Sequence, residues 1–312
     1  MNAIDVNNLT KVFGNFTAVD GITFNVKEGE IFGFLGANGA GKSTTIRMLI
    51  GILNPTSGDA IVGGYSVKKN PDQVKKNIGY MSQKFSLYND LTVSENIRFF
   101  AGVYGLFGKK YEERKKWVLK VANLENMENV LTGSLPGGIK QRLALGTAVI
   151  HEPRIVFLDE PTSGVDPISR RNFWDLINDL SGSGTTVLVT THYLEEAEFC
   201  NDIILINAGK LIARGNSKTL KTNYIHNPII EIESDRIIDS LEILEKEKGV
   251  GETSVFGNYI HLILNENTLD ESKITDLLQN KNGIKVKRIE RISPTLEDVF
   301  IHLIEKDAQK NV

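Results

Sequence analysis

The chain has 312 residues, of which 41% are hydrophobic and 24% charged, a composition that describes a globular protein with room for two domains. A formal net charge of -3 argues against wholesale nucleic-acid binding, and the single cysteine, Cys200, excludes an intramolecular disulfide and fits a reducing compartment. The opening residues lack the apolar core of a signal peptide, and no apolar run approaches the roughly 18 residues of a spanning helix, so a membrane role requires a partner.

Residues 3 to 35 run apolar in short stretches separated by Gly and Asn, which predicts strands, "EIFGFL" among them. "GANGAGKST", Gly36 to Thr44, follows that strand and precedes the helix "TTIRMLIGIL", the context in which G-x-x-x-x-G-K-[ST] cradles phosphate. The backbone N–H groups of Gly39, Ala40 and Gly41 curl around phosphate oxygens there, and the helix N-terminus adds a favourable dipole. Lys42 reaches the β- and γ-phosphates, the Ser43 hydroxyl suits Mg²⁺, and Gly36, Asn38 and Thr44 complete the loop. Gln83 ends "NIGYMSQ"; its neutral amide suits an Mg²⁺ or water ligand, but taken alone it fits an ordinary surface residue equally well.

At residue 92 the period changes. Thr92 and Glu95 form a capping box, Val93, Ile97, Phe100 and Tyr104 share a helix face, and a helical insert runs to about residue 133. "GKKYEERKKWVLK" reads as a solvated helix face within it. "SLPGGIKQR" then sets Gly137 and Gly138 before an amphipathic helix through Ile139, Leu143 and Ile150. "RIVFLD" and "TTVLVTTH" are continuous apolar strands flanking the helix "RRNFWDLINDL", which makes a strand-helix-strand unit and an α/β core. Asp159 ends the first of these strands, so its carboxylate emerges at the sheet's carboxyl edge, where it can hold Mg²⁺. Glu160 follows and points elsewhere, free to polarise an attacking water. His192 closes the second strand at the same edge, in reach of a γ-phosphate.

Polar residues and Pro228 interrupt the pattern at "KTNYIHNP". Beyond it come the strand "IIEIE", a helix with Ile237, Leu241 and Leu244 on one face, and two strands meeting at Gly257-Asn258. A helix capped by Thr268 and Glu271, the strand "IKVKRI", and a last helix opened by Ser293 and Pro294 follow. The order is βαββαβ plus a helix, that is, ferredoxin-like. "KNGIKVKRIER" carries five basic residues; a strand with one solvated face accounts for them, with anionic lipid contact as the other reading. His151, His226, His261 and His302 lack metal-ligand spacing.

Gly36 to Thr44, Gln83, "LPGGIKQR", "IVFLDEP", "SGVD" and His192 stand in one order around the helical insert. With that combination the chain resembles, over about residues 3 to 220, the ATP-binding subunits of ABC transporters. The resemblance implies an ABC-type nucleotide-binding domain at 1–222, a P-loop NTPase core with an antiparallel β subdomain and a helical insert at about 84–134. An α+β accessory domain follows at 228–312. It implies ATP and Mg²⁺ as cofactors, ATP hydrolysis, and a head-to-tail pair, homodimeric or with a related ATPase subunit, that sandwiches two ATP molecules.

In that pair Phe13 stacks on adenine, Asp166 lies in the loop crossing the interface, Glu160 is the catalytic carboxylate and His192 the switch histidine. Gly137 and Gly138 belong to the signature that meets the partner's ATP. Its usual wording, Leu-Ser-Gly-Gly-Gln, is altered at Pro136 and Ile139, which removes a serine hydroxyl and a backbone N–H and softens that half of the site unless Ser134 or other donors compensate. The segment after Gln83, "KFSLYNDL", stands where such subunits meet a permease helix; Phe85, Leu87 and Tyr88 either dock there or pack the insert. "DEPTSGVDPISRR", the second domain and "SPTLEDVF" look like bacterial and archaeal exporter subunits, cytoplasmic and held peripherally to the inner face of the membrane by a separate integral-membrane permease.

Two other readings compete. A soluble ABC ATPase without a membrane partner fits poorly with a single phosphate loop and no long heptad insert. A nucleotide-binding regulator with weak hydrolysis fits poorly with Lys42, Glu160 and His192 together, although the altered signature keeps it open.

Overall fold

The computed structural model describes residues 1–84, 86–265 and 269–310, and its chain divides into two compact units, Met1–Asn216 and Ser217–Val312. The first opens with β1 (Asn2–Phe13) and β2 (Phe16–Lys27), antiparallel strands whose buried and exposed residues mark a sheet with one dry face. β3 (Ile31–Leu35), buried at every residue, leads through the phosphate loop to α1 (Lys42–Leu49). β4 (Ser57–Val62) and β5 (Tyr65–Ser66) return to the first sheet, which has the order β2-β1-β4-β5.

α2 (Pro71–Asn77) and β6 (Ile78–Met81) precede the insert helices α3 (Val93–Val103) and α4 (Gly108–Ala122). α5 (Gly137–Ala148), β7 (Ile155–Asp159), α6 (Pro167–Gly182) and β8 (Thr186–Thr191) follow, and β9 (Asp202–Asn207) and β10 (Lys210–Gly215) close the unit. The second sheet runs β10-β9-β3-β8-β7-β6, parallel except for β10. Its central strands are apolar on both faces, so polar side chains emerge only past their carboxyl ends. That edge therefore collects the segments after β3, β6, β7 and β8.

The Thr92–Glu95 capping box forms as expected: the Glu95 N–H donates to Thr92 and the Thr92 N–H to Glu95, at 3.3 and 2.8 Å. Val93 and Ile97 are fully buried with Val118 and Leu119, but the same cluster takes in Leu135, Leu143 and Ile150, so the packing of the insert continues past residue 134. α5 ends at Ala148, and Ile150 packs from beyond the helix rather than on its face. α1 is shorter than "TTIRMLIGIL", because Gly51 turns the chain with φ +71°.

The second unit comprises α7 (Ser217–Tyr224), β11 (Ile229–Ser234), α8 (Ile237–Leu244), β12 (Val250–Phe256), β13 (Tyr259–Leu264), α9 (Glu271–Thr275), β14 (Val286–Ile292) and α10 (Leu296–Lys310). Strand order β12-β13-β11-β14, antiparallel throughout, is the ferredoxin-like arrangement, with Gly257 at φ +58° in the hairpin. Two helix starts differ from expectation. Asp270 caps α9 by accepting from the Lys273 N–H, and Thr268 lies outside the described residues. α10 begins at Leu296 rather than after Ser293, because Thr295 and Asp298 exchange hydrogen bonds across its first turn.

Ile230, Ile232, Ile260, Leu262 and Leu264 build one side of the unit's core with α8 and α9. On the other face the buried His261 sits between Asp298 of α10, 2.7 Å from Nδ1, and Glu231 of β11, 3.2 Å from Nε2. The basic residues of β14 are paired as well: Lys287 with Glu233, Arg288 with Glu231 and Glu290, and Arg291 with Glu271. A solvated, ion-paired strand accounts for that patch better than a lipid surface.

Candidate active site

The phosphate loop owes its shape to three glycines with different duties. A Cβ on Gly36 would stand 2.3 Å from the Ile206 carbonyl, and one on Gly41 would stand 2.6 Å from that of Ala18, so both are required by close backbone approach. Gly39 has open space but a φ of +81°, which favours glycine. α1 starts at Lys42 directly after Gly41, so its free N–H groups face the loop. Asn38 is exposed on the loop, and Ser43 and Thr44 are half-buried in the first turn of the helix. Lys42 is buried, with Nζ donating to the Gly36 and Ala37 carbonyls at 2.8 and 3.2 Å.

Asp159 and Glu160 part company at the end of β7. Asp159 is buried and accepts from Thr190 Oγ1 at 2.7 Å and Ser43 Oγ at 3.1 Å. Two hard oxygen donors side by side next to a phosphate loop match the preference of Mg²⁺, which takes one or two protein groups and fills its octahedron with water and phosphate. Among the described residues no group of three or more His, Cys, Asp or Glu side chains is placed to hold a metal ion. Burial, then the Asp159 charge, push the nearby Tyr80 hydroxyl above its ordinary pKa, against an opposing pull from Arg47.

Glu160 has φ +47°, a left-handed conformation uncommon outside glycine, which turns its side chain away from Asp159. The carboxylate is not free, as the sequence suggested, but shared. Oε1 lies 3.4 Å from Lys42 Nζ, while Oε2 accepts from Gln83 Nε2 at 3.0 Å and lies 3.4 Å from His192 Nδ1. Lys42, Ser43, Gln83, Asp159, Glu160 and His192 are thus one cluster at one sheet edge.

This arrangement has relatives. The Nod factor export ATP-binding protein I of Cupriavidus metallidurans is 33% identical over 97% of this chain and 98% of its own length. The chain belongs to the ATP-binding subunits of ABC transporters. The ABC transporter family model matches residues 19–163, and a model described as the C-terminal domain of DrrA1-3-like ATP-binding proteins matches residues 215–304. The linearmycin resistance ATP-binding protein LnrL of Bacillus subtilis is 34% identical over 96% of the chain and 97% of its own length. The probable multidrug ABC transporter ATP-binding protein YbhF of Escherichia coli is 52% identical over 70% of this chain, but the match spans only 38% of YbhF. A solved ATP-binding subunit of an ABC transporter superposes with TM-score 0.65 at 28% identity, covering 71% of this chain and 93% of that one. A dimeric ATP-binding cassette in a post-hydrolysis state, bound to ADP and Pi, superposes with TM-score 0.62 at 28% identity over 68% of this chain and 98% of that one. The chain is therefore an ABC-type ATPase subunit.

Other residues expected at the ATPase site lie apart from the cluster. Among the described residues, no hydrogen bond or ion pair joins Phe13, Asp166, Gly137 or Gly138 to it. Phe13, at the end of β1, is 47% exposed, with Lys11 Nζ 5.1 Å above its ring. Asp166 caps α6 by accepting from the Ser169 N–H, a bond that holds its carboxyl below the ordinary pKa. Pro136 is the N-cap of α5 and its carbonyl accepts from Ile139 and Lys140; the Ser134 hydroxyl is committed to the Leu131 carbonyl. The two signature glycines differ: a Cβ on Gly137 would meet nothing within 4 Å, whereas one on Gly138 would stand 2.5 Å from Ser169 Oγ and 2.7 Å from its Cβ.

In the segment after Gln83, Phe85 lies outside the described residues. Leu87 packs on the insert cluster, and Tyr88 is exposed with its ring edge-on to Phe99 at 4.8 Å. The buried Asn96 side chain holds this segment to α3 by bonding both the N–H and the carbonyl of Tyr88 at 2.9 Å.

Sequence reasoning missed the residues that support the cluster from behind. Thr190, Gln141, Thr162 and Glu196 are buried polar groups: Thr190 donates to Asp159, Gln141 to the Pro161 carbonyl and Thr162 to Glu196. One signal was available: Gln141 precedes the buried Leu145 by one helical turn, so it falls on the inward face of α5.

Proposed function

We propose that this ABC ATPase powers an exporter, two ATPase subunits closing head to tail on two ATP molecules and so driving a separate integral-membrane permease. The observation that carries the mechanism is the convergence of Lys42, Gln83 and His192 on the Glu160 carboxylate. Phosphoryl transfer demands mainly positioning and charge stabilisation, and these residues supply both.

The N–H groups of Gly39, Ala40 and Gly41 and the Lys42 ammonium hold the β- and γ-phosphates, and Phe13 stacks on the base. Ser43, Asp159 and Gln83 would hold Mg²⁺, which would supply charge neutralisation to the bound phosphates. Glu160 accepts a proton from the attacking water as the water oxygen bonds to the γ-phosphorus, the γ-phosphorus–oxygen bond to the β-phosphate breaks with ADP as the leaving group, and His192 hydrogen-bonds the released phosphate. Because Lys42 and Glu160 stand close enough to pair, phosphate that draws the ammonium away frees a carboxylate oxygen for that water. Gly137 and Gly138, at the N-terminus of α5, face the ATP held by the partner subunit, and Asp166 lies at the seam.

Export rests on the relatives, whose names specify Nod factor export, linearmycin resistance and multidrug transport. The exposed Tyr88 and Phe99 suit a permease helix that holds the subunit at the inner face of the membrane. Glu160→Gln is the test of the chemistry: it keeps ATP binding, yields an ATP-dependent dimer and abolishes turnover, and turnover equal to wild type refutes the role given to Glu160. Co-expression with the adjacent membrane gene tests the assembly, and a chain that stays soluble and monomeric there refutes the transport reading.

A further inference from the structure

Gln141 is fully buried on α5, at a position where an apolar side chain of similar volume would pack without a polar penalty. Its Nε2 donates to the Pro161 carbonyl at 2.5 Å, and among the described residues its Oε1 has no hydrogen-bond partner. A carbonyl can only accept, so this bond fixes the orientation of the amide and leaves the other end orphaned. Orphaned buried acceptors cost stability, and the bond to Pro161 is what the amide provides in return.

Pro161 is the residue after Glu160, whose left-handed backbone must be held in place by its surroundings. On one side the Glu160 N–H donates to the carbonyl and the hydroxyl of Thr190, at 3.1 and 3.0 Å. On the other side Pro161 has no N–H, so its carbonyl is the backbone handle, and Gln141 holds it. Thr162 then donates to the buried Glu196 at 2.5 Å. The helix that carries Gln141 begins at Gly137 and Gly138, and Gly138 lies so close to Ser169 of α6 that an added Cβ would stand 2.5 Å from its Oγ.

We propose that Gln141 is a positioning residue that ties the signature helix to the peptide after Glu160, so that the seating of Gly137 and Gly138 on the partner's nucleotide sets the aim of Glu160 at this chain's own phosphate loop. The proposal rests on the role given to Glu160 and on the head-to-tail pair above. In such a pair the two ends of this link serve different ATP molecules, and α5 makes hydrolysis at one responsive to engagement of the other.

The test measures phosphate release and ATP-dependent dimerisation of the full chain with Mg-ATP. Gln141→Met keeps the volume and removes the donor; kcat falls about 10- to 100-fold, the range expected for a small misplacement of a catalytic group, while KM stays within about twofold. In a Glu160→Gln background the same change leaves the ATP-dependent dimer intact. Unchanged kcat, or loss of that dimer, overturns the proposal. Gln141→Glu adds a readout that a packing role does not move: protonated, the new carboxyl donates to Pro161, and ionised, it repels that carbonyl. Its turnover is therefore retained at low pH and lost as pH rises, relative to wild type, and a profile parallel to wild type overturns the proposal even if Gln141→Met does not fold. Failure of the underlying reading looks different, because then Glu160→Gln alone retains turnover or forms no dimer.

Discussion

Alanine at each signature glycine separates packing from catalysis. At Gly138 the new Cβ must occupy a point 2.5 Å from Ser169 Oγ and 2.7 Å from Ser169 Cβ. The oxygen can rotate away, but Cβ is fixed to the backbone of α6, so α5 and α6 must separate by several tenths of an ångström. Overpacking of this kind costs about 1–3 kcal/mol. Replacing a helical glycine returns about 0.5–1 kcal/mol. The net loss of about 0–2.5 kcal/mol lowers Tm by up to roughly 5–10 °C, at about 2–4 °C per kcal/mol. At Gly137 the space is open, so only the helix gain remains and Tm holds or rises. In the proposed head-to-tail pair turnover still falls roughly 10- to 150-fold there, because a backbone seated against the partner's phosphate would lose a charge-assisted hydrogen bond worth about 1.5–3 kcal/mol.

Scanning calorimetry and steady-state phosphate release on both variants, with Ser169→Gly added to Gly138→Ala, make the comparison complete. Ser169→Gly removes both clashing atoms and restores part of the lost stability. Equal Tm for the two alanine variants, or no rescue, refutes the steric argument. Wild-type turnover in Gly137→Ala refutes the placement of the signature at the partner's nucleotide.

Pro136→Ser supplies an N-cap hydroxyl worth about 1 kcal/mol to α5 and a donor that Ser134 cannot replace, so turnover is kept or raised and the ATP-bound dimer tightens; loss of both means that the proline is required. Ser43→Ala raises the Mg²⁺ concentration needed for half-maximal turnover and leaves nucleotide binding without Mg²⁺ in place, since only one of the paired oxygens is removed; an unchanged Mg²⁺ titration counts against the Ser43–Asp159 site. Burial by itself lowers the His261 pKa, but Asp298 and Glu231 reverse this and leave it raised. Burial raises Asp298, and His261 and Thr295 reverse that and leave it lowered. The raised histidine stabilises the second unit below its ordinary pKa and loses that contribution as pH climbs through the folded-state value. The lowered carboxyl contributes above its ordinary range and loses this as pH falls. Urea melts of the full chain at a series of pH values therefore show a second-unit stability that declines toward both acid and alkali, and His261→Gln removes the alkaline decline; a variant profile that still falls in step with wild type above neutrality counts against the pair.

The edge of the parallel sheet was legible because apolar runs that end in a single polar residue say where that residue must emerge. "RIVFLD" and "TTVLVTTH" placed Asp159 and His192, and the glycine spacing placed Lys42. What such runs do not encode is contact across the chain. That Glu160 turns back to meet Lys42, Gln83 and His192 depends on a left-handed residue, and nothing in a glutamate at that position announces one. Helix starts failed for a related reason. Ser293 and Pro294 carry the right chemistry, yet the Thr295–Asp298 exchange won, because Asp298 is also anchored by His261, far away in sequence.

β14 is the last strand of its sheet, bonded to β11 on one side only. Its outer backbone amides and carbonyls stand at a rim crowded by Lys287, Arg288, Glu290 and Arg291, each already matched to a carboxylate or guanidinium neighbour. A strand from another molecule that tried to extend the sheet would have to strip water from those charges and break their pairs. The rim therefore resists strand addition, and copies of the subunit gathered at high density are kept from zipping together through this edge.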